Sequence, residues 1–584
     1  MNPRAANARL DLPGPPPPET SALAAALGVS MLTAELLARR GHLDPDQARA
    51  FLHPRLTNLH DPASLPDAAV AVERITRAIR DGESIVVYGD YDVDGVCATT
   101  ILIRFLEMAG AKPRAYVPHR MREGYGLNLG AIERLADEGA DLIITVDNGT
   151  SGHAEIAAAR ERGVDVIVTD HHEPGPTLPD ALAVVNPKRA DSAYPFSELC
   201  GAGVAFKLAW QVARALSRSD RVQPELRIFL LDALSLVALG TVADVVPLVD
   251  ENRILVKFGL EAMSATRNPG LRALIDVAGV KPDQVRAAHL GFRLGPRINA
   301  AGRIDTAQRA IDLLTTDCEE AAKEIAFALD EGNRERQSVE RAIHVEARAR
   351  VLAAPPPDGE GSAIVLWGDD WHPGVVGIVA ARLVEEFHRP VVIVAMRGDT
   401  GKGSARSIRG FDLHQALSSC AELMTSFGGH AFAAGMEIPR ASLEPFRAAL
   451  NERARRILTD DHLHPGVPID AVVSLDRLTL PSVRELERLG PFGRANPAPR
   501  LAVIDGRVAG NLRRVGRAGA HLAFNLADGS ASHRAIAFGM GDLEAELHRA
   551  NGRVTAVFRA GLSEWNGRQS VELQIDSLRP GGGT

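Results

Sequence analysis

The chain is an α/β protein: a parallel-sheet domain, a long connecting helix, a second α/β domain and a small C-terminal β-barrel. Three observations predict this. Short apolar strands alternate with helical stretches from about residue 83, the arrangement of a parallel sheet covered on both faces. A long charged helix then runs into the proline- and glycine-rich PPPDGEG at 355–361, and strand–helix alternation resumes beyond it. The last 120 or so residues consist of short strands split by turn residues.

Taken in order, residues 1–45 read as a flexible proline-rich leader running into N-terminal helices. No apolar core follows the opening charges, so the segment does not read as a signal peptide. SALAAALG, TAELLARRG and DAAVAVERITRAIRDG carry helix formers on a 3.6-residue period and end at Gly. Residues 46–330 form the first domain, with strands SIVVYGD, DLIITVD and VDVIVTD; 331–354 form the connecting helix; 360–462 form the second α/β unit; and 465–580 form the barrel. A chain of 584 residues suits about three or four domains of roughly 150 residues. The apolar content of 45% and charged content of 24% are those of a soluble globular protein, and no run of about 18 uncharged apolar residues suggests a spanning helix. The four widely spaced cysteines fit no zinc or redox pattern and suit a reducing, cytoplasmic setting. The net charge of −8 argues mildly against a nucleic-acid partner, but acidic metal ligands inflate it and bound cations would reverse its local sign.

Those ligands are the strongest signal. Asp90, Asp92 and Asp94 lie within five residues, directly after a strand. Burying three such acids costs several kcal/mol unless cations neutralise them. A calcium loop would follow a helix and carry an acid at its twelfth position, which here is Ile101. Two further strands end on Asp147 and on Asp170-His171-His172. An open parallel sheet binds ligands beyond the carboxyl ends of its strands, so all three ends converge on one crevice. Asp244 adds an acid inside the apolar stretch LVALGTVADVVPL, either a ligand, a helix cap or half of a buried ion pair. Carboxylates with one or two imidazoles and no thiolate suit Mn²⁺ or Mg²⁺, and several bridging acids suit two ions roughly 3.5–4 Å apart, as used in phosphoryl displacement.

DYDVDG, TVDNG, VTDHH and GTVADVVPL, in this order, resemble the four motifs of the DHH phosphoesterase superfamily. Over about residues 45–580 the chain is similar to that superfamily's bacterial single-strand-specific exonucleases. The resemblance implies metal ligation by Asp92, Asp94, Asp147, His171 and Asp244, with Asp90 a ligand or an acid beside one. Asp147 would bridge two divalent ions, Mn²⁺ or Mg²⁺; Asp170 would orient a histidine; His172 would face the scissile phosphate. It also implies 5′-to-3′ degradation of single-stranded DNA by a monomer, with a single-strand-binding protein and a helicase as candidate partners.

Other segments offer substrate contacts. Arg122 and Tyr125 lie in a loop that is otherwise a Gly-rich turn; Arg297, Asn299 and Arg303 are expected in a tight phosphate-binding loop. Ser404 and Arg406, in the Gly-rich GKGSARS, are expected in an anion nest that holds a terminal phosphate. They resemble the GSxRS element of the DHH-associated domain, as Phe427–Gly435 resembles its GGHxxAAG; His430 there is a phosphate contact or a structural histidine. Trp371 either stacks a base or packs under its loop. In the barrel, Arg513, Arg514 and Arg517, with Phe524, Phe538 and Trp565, read as a strand-binding strip or as a solvated basic edge. The rival readings are an oligoribonuclease or pyrophosphatase of the same superfamily, which generally lack such a barrel, and a scaffold without metals.

Overall fold

The computed structural model describes residues 9–119, 123–219, 221–304, 306–353, 363–464, 466–565 and 567–581, without the side chains of Arg303, Ile304 and Trp565. The chain divides into two compact units, His53–Arg336 with Gly490–Pro497, and the remainder.

The first unit is built on a five-stranded parallel sheet in the order Arg114–Tyr116, Ile85–Tyr88, Leu142–Val146, Asp165–Thr169, Ala183–Val185. Its central strands read IVVY, LIITV and DVIVT because both faces are covered. Alternate residues serve two cores: Ile85, Val87, Ile144 and Ile167 pack on one face, and Val86, Tyr88, Ile143 and Val168 on the other. Each fully buried aliphatic side chain contributes about 1.5–3 kcal/mol. The helices Val93–Met108, Gly201–Ser217 and Pro224–Ala243 cover the first face. The helix Pro224–Ala243 is long and apolar enough to cross a membrane, yet most of its apolar window is buried inside the protein.

The helix Glu319–Ala353 leads from this unit into the second. There a mixed sheet runs Ser426–Gly429, Ala433–Pro439, Thr400–Arg406, Val391–Arg397, Ile364–Gly368, and its last pair is parallel. The same unit holds a five-stranded barrel. Its strands are Leu501–Val515, His521–Ala527, Ser532–Ala537, Arg568–Pro580 and Arg553–Trp565, and the first pairs with the last to close it. A register shift between Ala509 and Arg513 bends the first strand.

The N-terminal leader is shorter than its composition suggests. Leu10–Asp11 pairs in parallel with Val467–Pro468, and helices begin at Thr20. The connecting helix begins at Glu319, before the expected residue 331.

Candidate metal centre

In the first sheet, taken in chain order, the strands lie 2-1-3-4-5, so their direction of progress reverses between Ile85–Tyr88 and Leu142–Val146. Ligands bind at such a switch point, beyond the carboxyl ends. Asp90 and Asp92 follow one of these two strands and Asp147 follows the other. Asp92 caps the helix Val93–Met108, its Oδ1 accepting from Asp94 N at 2.8 Å and Gly95 N at 3.0 Å. Asp94 accepts from Gly201 N at 2.6 Å and Ala202 N at 2.9 Å, the first amides of the helix Gly201–Ser217. Free amides and dipole at a helix start favour an anion there. Asp147 has φ 63°, a left-handed conformation that Asp tolerates better than most residues.

Asp170 is nearly enclosed by donors. It accepts from Thr150 N at 3.0 Å, His171 N at 2.7 Å and His172 N at 3.2 Å, and His172 Nδ1 lies 2.7 Å away. Burial alone would raise its pKa, but the hydrogen bond and charge of His172 outweigh burial and hold Asp170 below the usual carboxylate range. The same bond, against burial, raises His172. Asp244 ends the helix Pro224–Ala243, where the dipole opposes a negative charge. Its carboxylate lies instead with Asp94 and His171 in a group that could hold a metal ion.

These side chains form three groups whose donor atoms lie within 4.8 Å of one another: Asp90, Asp92 and Asp147; Asp94, His171 and Asp244; Asp147, His171 and His172. His171 Nε2 is 3.0 Å from Asp147 Oδ1, 3.7 Å from Asp244 Oδ2 and 3.9 Å from Asp94 Oδ2. The contact with Asp147 has the distance of an ion pair but not the angle of a hydrogen bond, and both atoms are buried without a hydrogen-bond partner. Burial, followed by the neighbouring acids, pushes Asp147 well above its ordinary value, Asp94 up to about 6 and Asp244 up to about 8. Burial and the neighbouring His172 lower His171 to about 3, leaving a neutral imidazole at physiological pH, the form that binds metal. Buried acids destabilised by one another, beside a neutral histidine, are the donor set of a divalent cation.

Close packing holds the site together. A Cβ on Gly201 would lie 2.6 Å from Asp147 Cβ, and one on Gly240 would lie 2.4 Å from Asp94 Oδ1. Sequence reasoning missed these glycines and the amides of Gly201 and Ala202; the small-residue run Cys200-Gly201-Ala202-Gly203 at a helix start was the available signal. It also missed buried Asn186, whose Nδ2 donates to His172 O at 2.9 Å and to Thr150 Oγ1 at 3.0 Å.

The expected substrate residues fare differently. Tyr125 joins the site: its Oη is 3.1 Å from His172 Nε2 and 3.4 Å from Asp147 O. Arg122 lies outside the described residues, as does the side chain of Arg303. Gly295–Ile304 is a helix, not a tight loop, and Arg297 points inward. Its guanidinium donates to Asp330 Oδ1, Arg293 O and Val277 O at 2.9, 2.6 and 3.3 Å, so its donors are engaged within the protein. Asn299 is half-buried on the same helix.

GKGSARS is not a loop either. It lies in the strand Thr400–Arg406, paired on both sides, so its backbone amides serve the sheet and form no nest. Ser404 and Arg406 still converge: Arg406 Nη1 is 3.1 Å from Ser404 Oγ, and both side chains lie against Gly377 at the start of the helix Val376–Phe387. His430 is exposed in the hairpin turn that follows Ser426–Gly429. Trp371 is buried, donating from Nε1 to Glu346 at 2.9 Å, so it is a packing residue. In the barrel Arg513, Arg514 and Arg517 are exposed, with Arg514 tied to Gly519 O at 3.0 Å. Phe524 belongs to the core and cannot stack a base, whereas Phe538 is half-exposed.

Comparison with known proteins agrees with this architecture. Residues 84–241 match the model of the DHH family N-terminal domain, 360–456 the DHHA1 domain and 469–577 the RecJ OB domain. The single-stranded-DNA-specific exonuclease RecJ of Bacillus subtilis is 37% identical over 573 residues, covering 98% of this chain and 71% of that protein. RecJ of Escherichia coli is 37% identical over 524 residues, covering 87% and 90%. The solved structure of Thermus thermophilus RecJ with Mn²⁺ is similar at a TM-score of 0.82 and 34% identity, over 99% of this chain and 80% of that one. Its Mg²⁺ complex gives a TM-score of 0.77 at 32% identity, over 99% and 79%. With a centre suited to those ions and such similarity along nearly its whole length, the chain belongs to the RecJ family of single-stranded-DNA-specific exonucleases.

Proposed function

We propose that this protein degrades single-stranded DNA from the 5′ end by phosphodiester hydrolysis at a two-metal centre. The observation that carries the proposal is Asp147, which shares one donor group with Asp90 and Asp92 and whose Oδ1 lies 3.0 Å from His171 Nε2, a member of the group with Asp94 and Asp244. Asp90, Asp92 and Asp147 would hold one ion; Asp94, His171 and Asp244 would hold the other, beside Asp147. Bound Mn²⁺ or Mg²⁺ supplies positive charge to acidify the attacking water and to offset charge developing on the phosphate oxygens. Asp170 holds His172 at Nδ1, and Tyr125 Oη lies 3.1 Å from both ring nitrogens. A histidine whose pKa is raised by a buried carboxylate suits a contact to the phosphate or a proton donor to the leaving oxygen.

Catalysis then belongs to residues 46–330, terminal-phosphate binding to Ser404, Arg406 and His430 in 360–462, and strand tracking to the barrel in 465–580. The matched barrel domain favours a long strand over the very short RNAs or pyrophosphate of the rival enzymes. A single-strand-binding protein and a helicase would be the partners that present the strand. The test is a 5′-phosphorylated, 3′-labelled strand incubated with and without Mn²⁺. Progressive shortening from the 5′ end, abolished without metal and on duplex DNA, is expected; loss of the 3′ label first would overturn the polarity. Arg406→Ala should weaken action on 5′-phosphorylated strands more than on 5′-hydroxyl strands, and equal losses would remove the phosphate role.

A further inference from the structure

The fifth strand of the catalytic sheet, Ala183–Val185, runs parallel to Asp165–Thr169, so it opens at the same edge as Asp170-His171-His172. The turn that follows it is locked onto the site. Buried Asn186 donates from Nδ2 to His172 O at 2.9 Å, and its Oδ1 accepts from Lys188 N at 2.9 Å. Lys188 therefore stands at a set position relative to the histidines, with a side chain only 18% exposed. Its Nζ lies 3.3 Å from Oε1 of Glu173, the residue after His172, whose side chain is 78% exposed. A charge-assisted bond is normally about 2.7–2.9 Å long, and an ion pair with one solvated partner contributes about 0–1 kcal/mol. Glu173 is thus a loose partner that can swing into water, whereas the stem of Lys188 is held. Glu173 directly follows His172, so the Lys188–Glu173 pair stands beside the Asp170-His171-His172 triplet.

We infer that Lys188 is a substrate-binding residue whose ammonium exchanges Glu173 for a backbone phosphate of the DNA strand next to the one being cleaved. The inference rests on the single-strand nuclease reading above. A backbone phosphodiester carries one negative charge on two non-bridging oxygens, as a carboxylate does, but the rest of the bound strand holds it over Lys188, so it displaces a glutamate that is free to turn into water. Glu173 then serves as a stand-in that keeps the lysine aimed in the free enzyme.

Steady-state kinetics and salt-dependent binding on a 5′-phosphorylated oligonucleotide test this with three single variants of the full-length enzyme and one double variant. Lys188→Gln should raise KM and Kd roughly tenfold, with kcat little changed. It should also reduce the slope of log Kd against log salt by about 0.7, the value for one phosphate on a single strand. Lys188→Arg should restore most of the affinity. Glu173→Gln should act in the opposite direction and lower KM, and it should have no effect in the Lys188→Gln background. Mn²⁺ titration by calorimetry should be unchanged in all three. An unchanged KM and salt slope in Lys188→Gln, or a higher KM in Glu173→Gln, overturns the inference. So does a fall in kcat together with weaker Mn²⁺ binding, which would make Lys188 a support of the metal site. Wild-type enzyme that neither binds nor cleaves the strand would instead sink the nuclease reading itself, and this inference with it.

Discussion

At the scale of single residues, the centre is held in a state that the apoprotein resists. Asp147 combines a left-handed backbone, a buried carboxylate oxygen without a hydrogen bond and the repulsion of Asp94, Asp92, Asp90 and Asp244. Each is a cost in the absence of cations. Asp147→Asn is therefore expected to raise the thermal midpoint of the metal-free protein by about 2–4 °C. It should also abolish the further rise that Mn²⁺ produces in the wild type, and scanning calorimetry with and without Mn²⁺ checks both. A metal-free midpoint below that of the wild type would mean that the carboxylate contributes hydrogen bonding rather than repulsion. The acids themselves were legible because each follows a strand or ends an apolar run. The amides of Gly201 and Ala202 were not, because a backbone donor leaves no residue-type signature and reaches Asp94 across more than a hundred residues of chain.

At the scale of elements, two segments rich in glycine misled in the same way. GKGSARS reads as a loop, but its glycines clear space inside a central strand. A Cβ on Gly401 would meet Met396 Sδ and Val394 Cγ1 at 2.5 Å, and one on Gly403 would meet Met436 Cγ at 2.7 Å. Glycine within a strand marks such close approach as readily as a turn. GPRINAAGR likewise forms a helix, with Pro296 near its start, where its missing N–H does no harm, and with Gly302 where a Cβ would lie 3.1 Å from Tyr91 O. That helix presents Arg297 to Asp330, which is 3% exposed and is also bonded by Arg334 at 2.7 Å. Arg297→Met should therefore cost about 3 kcal/mol of stability by leaving a buried carboxylate short of a partner. Urea denaturation measures this. A variant of unchanged stability with a raised KM would return Arg297 to the substrate.

At the scale of the whole molecule, the proposed function gives hydrolysis and the tracking of long strands to different units. The barrel is not a detachable appendage: Leu10–Asp11 pairs with Val467–Pro468, and Glu485 accepts from Ser30 N at 2.8 Å and Thr33 Oγ1 at 2.9 Å. Removing everything beyond residue 465 would strip partners from the N-terminal segment, so charge substitution is the cleaner probe. Arg513→Gln with Arg517→Gln should weaken binding to long strands and lower the salt slope by about 0.7 for each phosphate that is no longer neutralised. Mn²⁺ binding and hydrolysis of a dinucleotide should remain as in the wild type. Equal affinity at every strand length would show that these arginines form a solvated edge.

The sequence by itself determined the order of domains, the parallel sheet and the identity of the acidic cluster. Those follow from local periodicity and from acids at strand ends, which neighbouring residues reveal. Tertiary structure decided which glycines make room, which arginines are engaged inside and which amides hold Asp94. It also placed Lys188 beside the DHH triplet, because that proximity depends on two strands lying side by side. Along the chain, Asp90, Asp92 and Asp94 are three acids in one turn. The fold separates their duties: Asp92 caps a helix, Asp94 is held by a second helix, and Asp90 turns toward Asp147. The physical reason is that repulsion among acids is visible along the chain, whereas the donors and cations that relieve it are supplied from elsewhere in space.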